Sequence, residues 1–122
     1  MGYRREMNNG DLPVTVVETL RFQRQAKSIW ADDEREAFID FISRYPLAGA
    51  EIRGTSGARK IRWGRAGMGK RGGARVVYWY FDANVPLFLF GVYAKAEKAD
   101  LTAEERNELQ KLVRILKAKA RS

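Results

Sequence analysis

Hydrophobic and polar positions alternate with two different periods along this chain. Val14 to Val17 is a short β-branched run and reads as a strand. From Glu18 to Trp30, the residues Phe22, Ala26, Ile29 and Trp30 fall on one helical face. Asp33 with Glu36 reads as a capping box for a second helix, which presents Phe38, Phe41, Ile42 and Tyr45 before Pro46 ends it. The period then shortens. Ala58, Lys60 and Arg62 alternate with Arg59, Ile61 and Trp63, so basic groups line one side of a strand. Arg75 to Phe81 and Leu87 to Tyr93 are rich in aromatic and β-branched residues, and the turn-like stretch Asp82 to Pro86 joins them into an antiparallel hairpin. Thr102 and Glu105 form a capping box for a last helix burying Leu109, Leu112, Val113 and Leu116, with basic residues in its final turns.

The predicted order is β-α-α-β-β-β-α, an α+β class with an antiparallel sheet of about four strands. Residues 1–13, MGYRREMNNGDLP, show no periodicity and read as a flexible extension. Residues 14–122 read as a single domain, since a chain of 122 residues suffices for one core.

Charge sharpens the picture. The formal net charge is +8, and no carboxylate occurs between Glu51 and Asp82. That interval holds eight cations: Arg53, Arg59, Lys60, Arg62, Arg65, Lys70, Arg71 and Arg75. The rest of the chain is balanced, so the whole excess sits in one segment. A continuous positive segment attracts a polyanion, and its overlap with strands carrying Trp63, Tyr78, Trp79 and Tyr80 places it on the folded body. The chain has no histidine and no cysteine. The usual zinc and copper ligands, thiolate chemistry and disulfides are thereby excluded, and no cofactor is expected. No apolar run is long enough for a membrane helix and the N-terminus lacks a leader pattern, which together predict a cytoplasmic protein without a membrane partner.

Two short motifs point elsewhere and fail on context. Gly64 to Lys70 matches the beginning of a phosphate-binding P-loop, and Gly67, Gly69 and Gly72 satisfy a dinucleotide fingerprint. Both need a following helix, whereas a strand pattern follows here. A basic, glycine-rich hairpin loop accounts for the stretch, with Lys70 and Arg71 supplying charge. The carboxylates Asp32, Asp33, Glu34 and Glu36 sit at a helix start, where capping explains them better than a metal pair does.

Three blocks, GTSGARKIRW (Gly54 to Trp63), GMGKRGGARVVYWYFD (Gly67 to Asp82) and the FGVYAKAEKADL stretch ending at Leu101, resemble the RelE/HigB family of bacterial type II toxins, and the HigB-like branch in particular. The resemblance implies a RelE-like microbial RNase fold. It further implies cleavage of mRNA in the A site of the 70S ribosome without a metal: the RNA 2′-hydroxyl attacks the adjacent phosphate, leaving a 2′,3′-cyclic phosphate and a 5′-hydroxyl. Activity is held in check by an antitoxin, usually of the helix-turn-helix, HigA-like type. Carried over residue by residue, Lys60 and Arg62 match the family's paired basic strand positions. Arg75 matches the arginine that clamps the scissile phosphate. Lys95 matches a basic position after the last strand, and Tyr93 a stacking or proton-relay group. A lysine such as Lys60 serves as general base when cations crowd it. Arg59, Arg65, Lys70 and Arg71 are the accompanying RNA-binding cations. The chain departs from the best-studied sites in having Ala96 after Lys95 and no aromatic after Tyr93.

Two other functions fit the same sequence. One is a ParE-like toxin that binds DNA gyrase without nuclease chemistry, and the other is a non-catalytic RNA-binding module. The set Lys60, Arg62 and Arg75 favours the nuclease, because fixed cations stabilise the charge that builds on a phosphorane.

Overall fold

The structure, a computed structural model, describes residues 12–65 and 69–122. Residues 1–11, most of the predicted extension, lie outside the described residues. The centre of the molecule is a five-stranded sheet. Its strands are β1 (Val16–Glu18), β2 (Ala50–Glu51), β3 (Arg59–Arg65), β4 (Gly69–Trp79) and β5 (Leu87–Ala94), in the order β1-β5-β4-β3-β2. Three helices complete it: α1 (Leu20–Ile29), α2 (Asp32–Arg44) and α3 (Ala103–Arg121).

This corrects the expectation of a four-stranded antiparallel sheet. The sheet is mixed, because β1 runs parallel to β5, with Val16 opposite Leu87 and Glu18 opposite Leu89. The extra strand, β2, has only two residues and pairs with the start of β3, too short to leave an alternating pattern. The first strand also begins later than predicted. Val14 donates its N–H to Ser43 O, at the end of α2, and the ladder starts two residues on.

Helix starts follow side-chain capping. Thr19 caps α1, its Oγ1 accepting from Phe22 N at 3.2 Å. At α2 the predicted Asp33 and Glu36 box does not form. Glu34 instead accepts from Ala31 N at 2.9 Å, and the helix begins at Asp32 with three acidic residues in its first turn to complement the dipole. The α3 box forms as expected: Thr102 Oγ1 accepts from Glu105 N at 3.1 Å, and Glu105 Oε1 from Thr102 N at 2.8 Å.

The glycine-rich stretch is mostly strand rather than loop. Arg65 pairs with Gly69, so both arms of the hairpin run almost to the tip. Gly73 shows why glycine is used in the ladder: a Cβ there would lie 2.9 Å from Trp63 O.

Alternation along β4 splits the core in two. Ala74, Val76 and Tyr78 face α1 and α2, packing with Phe22, Ala26, Trp30, Phe38 and Ile42. Val77 and Trp79 face α3, packing with Phe90, Leu109 and Val113. Leu112, predicted to be buried, remains 40% exposed. Between the Val77–Gly91 and Tyr78–Leu89 pairs the register shifts, so Phe90 is an extra residue in β5. The Tyr78 hydroxyl ties the first core together: it donates to Pro46 O and accepts from Gly49 N, each at 2.8 Å.

Candidate active site

The face of the sheet that carries α3 also carries the cations. Lys60 and Arg62 alternate away from Ile61 and Trp63, which pack into the opposite core. On β4 the same face presents Arg75, two residues before Val77. The register then sets three of the candidate side chains in one row. Arg62 is opposite Arg75 across β3 and β4, and Arg75 is opposite Tyr93 across β4 and β5. Lys60 lies one rung along, opposite Val77.

This row is unfavourable by itself. Like charges placed directly opposite repel. Arg75 is also only 9% exposed, and its Nη1 is buried without a hydrogen-bond partner. The Tyr93 hydroxyl is buried and unpartnered as well. An unsatisfied buried charge is costly, and the donors left unpaired here match the acceptor oxygens of an anion in kind. Burial pushes the Tyr93 phenol up from its ordinary value, and Asp100 adds to that shift.

The start of α3 closes one side. Asp100, in the connection before α3, accepts from Lys60 Nζ at 2.9 Å and from Leu101 N at 2.7 Å, and its Oδ2 lies 3.3 Å from Arg106 Nη2. These contacts, the Lys60 hydrogen bond foremost, hold its carboxyl below the usual range. Glu105 is likewise held low, first by a short hydrogen bond from Lys98 and then by Thr102 N. Lys98 Nζ stands 5.5 Å from the centre of the Tyr93 ring. Sequence reasoning missed site roles for Asp100, Lys98, Glu105 and Arg106 because it chose candidates by the charge of the acid-free segment and by the resemblance, which added only Tyr93 and Lys95 beyond that segment. The signal available was the capping box itself, which fixes where the chain turns back over the sheet.

The remaining predicted residues are distributed differently. Lys95 follows β5 and is exposed, with its N–H directed at Gly73 O, 3.4 Å away. Arg59 projects to the opposite face from Lys60, donating to Gly49 O at 2.6 Å and pairing with Glu51 at 3.7 Å. The side chains of Arg65, Lys70 and Arg71 lie outside the described residues. Among the described residues no three His, Cys, Asp or Glu side chains cluster as a metal site, and no helix is long and apolar enough to cross a membrane.

Together these features define a class: small α+β proteins with a cationic sheet face partly roofed by a C-terminal helix. Residues 15–122 match the family model of the RelE toxin of the RelE/RelB toxin–antitoxin system. The chain belongs to that family and is a toxin of a toxin–antitoxin system. Its fold is similar to that of a mutant of E. coli toxin RelE in the free state, with a TM-score of 0.52 over 71% of this chain and 88% of that one, at 17% identity.

Proposed function

We propose that this toxin is a ribosome-dependent mRNA endoribonuclease of the HigB-like branch that needs no metal and stops translation from the cytoplasm. The observation that carries the reading is the row Arg62, Arg75 and Tyr93, with two buried polar atoms left unsatisfied at its centre. A gyrase-binding relative has no use for such a convergent set of cations and unsatisfied polar atoms.

In this reading Arg75 and Arg62 clamp the scissile phosphate of an mRNA in the 70S A site and stabilise the phosphorane. Lys60 faces a carboxylate as well as arginines and is assigned as a further fixed cation rather than a base. The 2′-hydroxyl gives its proton to solvent water as its oxygen bonds to phosphorus, the bond to the 5′-oxygen breaks, and a 2′,3′-cyclic phosphate remains. Tyr93, kept protonated by burial, donates its proton to the departing 5′-oxygen. Lys95, Arg59, Arg65, Lys70 and Arg71 contribute to backbone binding around the site. A cognate antitoxin of the helix-turn-helix type inhibits by covering or displacing elements around this face.

The test is to express the chain in translating cells and map mRNA 5′ ends. New ends within codons are expected. Intact messages together with undiminished protein synthesis would rule the activity out.

A further inference from the structure

On the α3 face, two cations converge on one carboxylate of the chain itself. A cleft of about 320 Å³ between the β2–β3 edge and the start of α3 is lined by the cations Arg53, Lys60 and Arg106 and by the carboxylates Glu51 and Asp100. Within it, a lysine from β3 and an arginine from α3 converge on the two oxygens of one carboxylate, at 2.9 Å and 3.3 Å. Lys60 shares its sheet face with Arg62 and Arg75, two residues along β3 from the Arg62–Arg75 pair. Arg75, Asp100 and Arg106 all bear electrostatically on the Tyr93 phenol.

We propose that Lys60 and Arg106 form a second phosphate subsite, for an RNA phosphodiester flanking the one at Arg75, and that Asp100 fills it in the free chain until RNA displaces it. The proposal rests on the reading of the protein as an RNA-cleaving toxin. Displacement is feasible. The Lys60 and Asp100 side chains are 30% and 47% exposed, and ion pairs in such settings are weak. A phosphate offers the arginine a bidentate partner and brings charge from a polymer already held at Arg75. Asp100 is a faithful stand-in because its contacts keep it ionised throughout the neutral range. It also carries the specificity of the arrangement: an internal carboxylate excludes stray anions that lack the polymer's other contacts.

The experiment uses the full chain and a fluorescent RNA oligonucleotide made uncleavable by 2′-O-methylation, with anisotropy read across a salt series. Asp100→Asn keeps an oxygen for Leu101 N–H while removing the charge. It is expected to bind about 3- to 10-fold more tightly, with the log–log salt slope steeper by up to about 0.7, because no freed carboxylate takes up a counterion. Arg106→Gln, alone and added to Asp100→Asn, is expected to weaken binding by a similar factor. Thermal melting checks that each variant is folded. Unchanged or weaker binding by folded Asp100→Asn, indifference to Arg106→Gln, or no binding by any variant overturns the subsite. Cleavage on ribosomes is scored separately: a chain that cuts mRNA yet gains nothing from Asp100→Asn loses the subsite alone. A chain that cuts nothing yet shows the gain keeps the subsite and loses the nuclease.

Discussion

Arg75 and Tyr93 are register partners across β4 and β5, and each ends in a buried polar atom that no group in the free chain satisfies. Neither atom contributes to holding the fold. Arg75→Ala is therefore expected to abolish growth inhibition on expression while the circular dichroism spectrum stays native. Arg75→Met, which keeps the packed stem, should melt no lower than the parent, because replacing an unpaired buried charge by an apolar group is neutral or stabilising. A fully toxic Arg75→Ala variant would place the site elsewhere.

Tyr93→Phe separates chemistry from packing. It removes only the unpartnered hydroxyl, so stability should be unchanged or higher by up to about 1 kcal/mol. The cleavage rate on ribosomes should fall by about 100-fold, the contribution of one positioned proton donor. Equal rates for Phe and Tyr would remove Tyr93 from the proton path and leave it as a wall of the site.

Tyr78 provides the opposite case. Its buried hydroxyl is fully used between Pro46 and Gly49, and burial pushes its pKa up despite the Gly49 hydrogen bond. Tyr78→Phe strands both backbone partners and is expected to cost about 1–3 kcal/mol in urea unfolding, with the site residues untouched. A loss below about 0.5 kcal/mol would show that Pro46 and Gly49 find other partners.

Acid should act on the start of α3. The carboxyls of Asp100 and Glu105 are both depressed in the folded chain, so the stability they add is present above the ordinary carboxylate range, about pH 4, and is lost as pH falls through their lowered values. The combined Asp100→Asn and Glu105→Gln variant should show a flatter decline of melting temperature below about pH 4 than the parent does. Identical acid limbs would mean that other carboxylates dominate.

What could be read in advance was local. The α3 capping box needs only Thr102 and Glu105, three residues apart, and the two faces of β3 follow from alternation alone. That alternation already separated Arg59 from Lys60, although charge grouped them. The parallel partner of β1 could not be read, since nothing in Val16 to Glu18 specifies Leu87 to Leu89. Asp100 was hidden for the same reason. It meets Lys60 across 40 positions, and neither the charge of the basic segment nor the resemblance that added Tyr93 and Lys95 singled it out. The α2 box failed on the smallest scale: several acids in sequence offered competing caps, and Glu34 took the role.

The parallel strand pair also fixes when the molecule can become dangerous. Thr19 Oγ1 donates to Leu89 O, 70 positions later, and α3 comes later still. A nascent chain cannot close its sheet until β5 has emerged, nor roof its cations until the last helix is made. The cationic face is therefore assembled only after synthesis has passed through α3, so the toxin's candidate site is among the last parts of this fold to form.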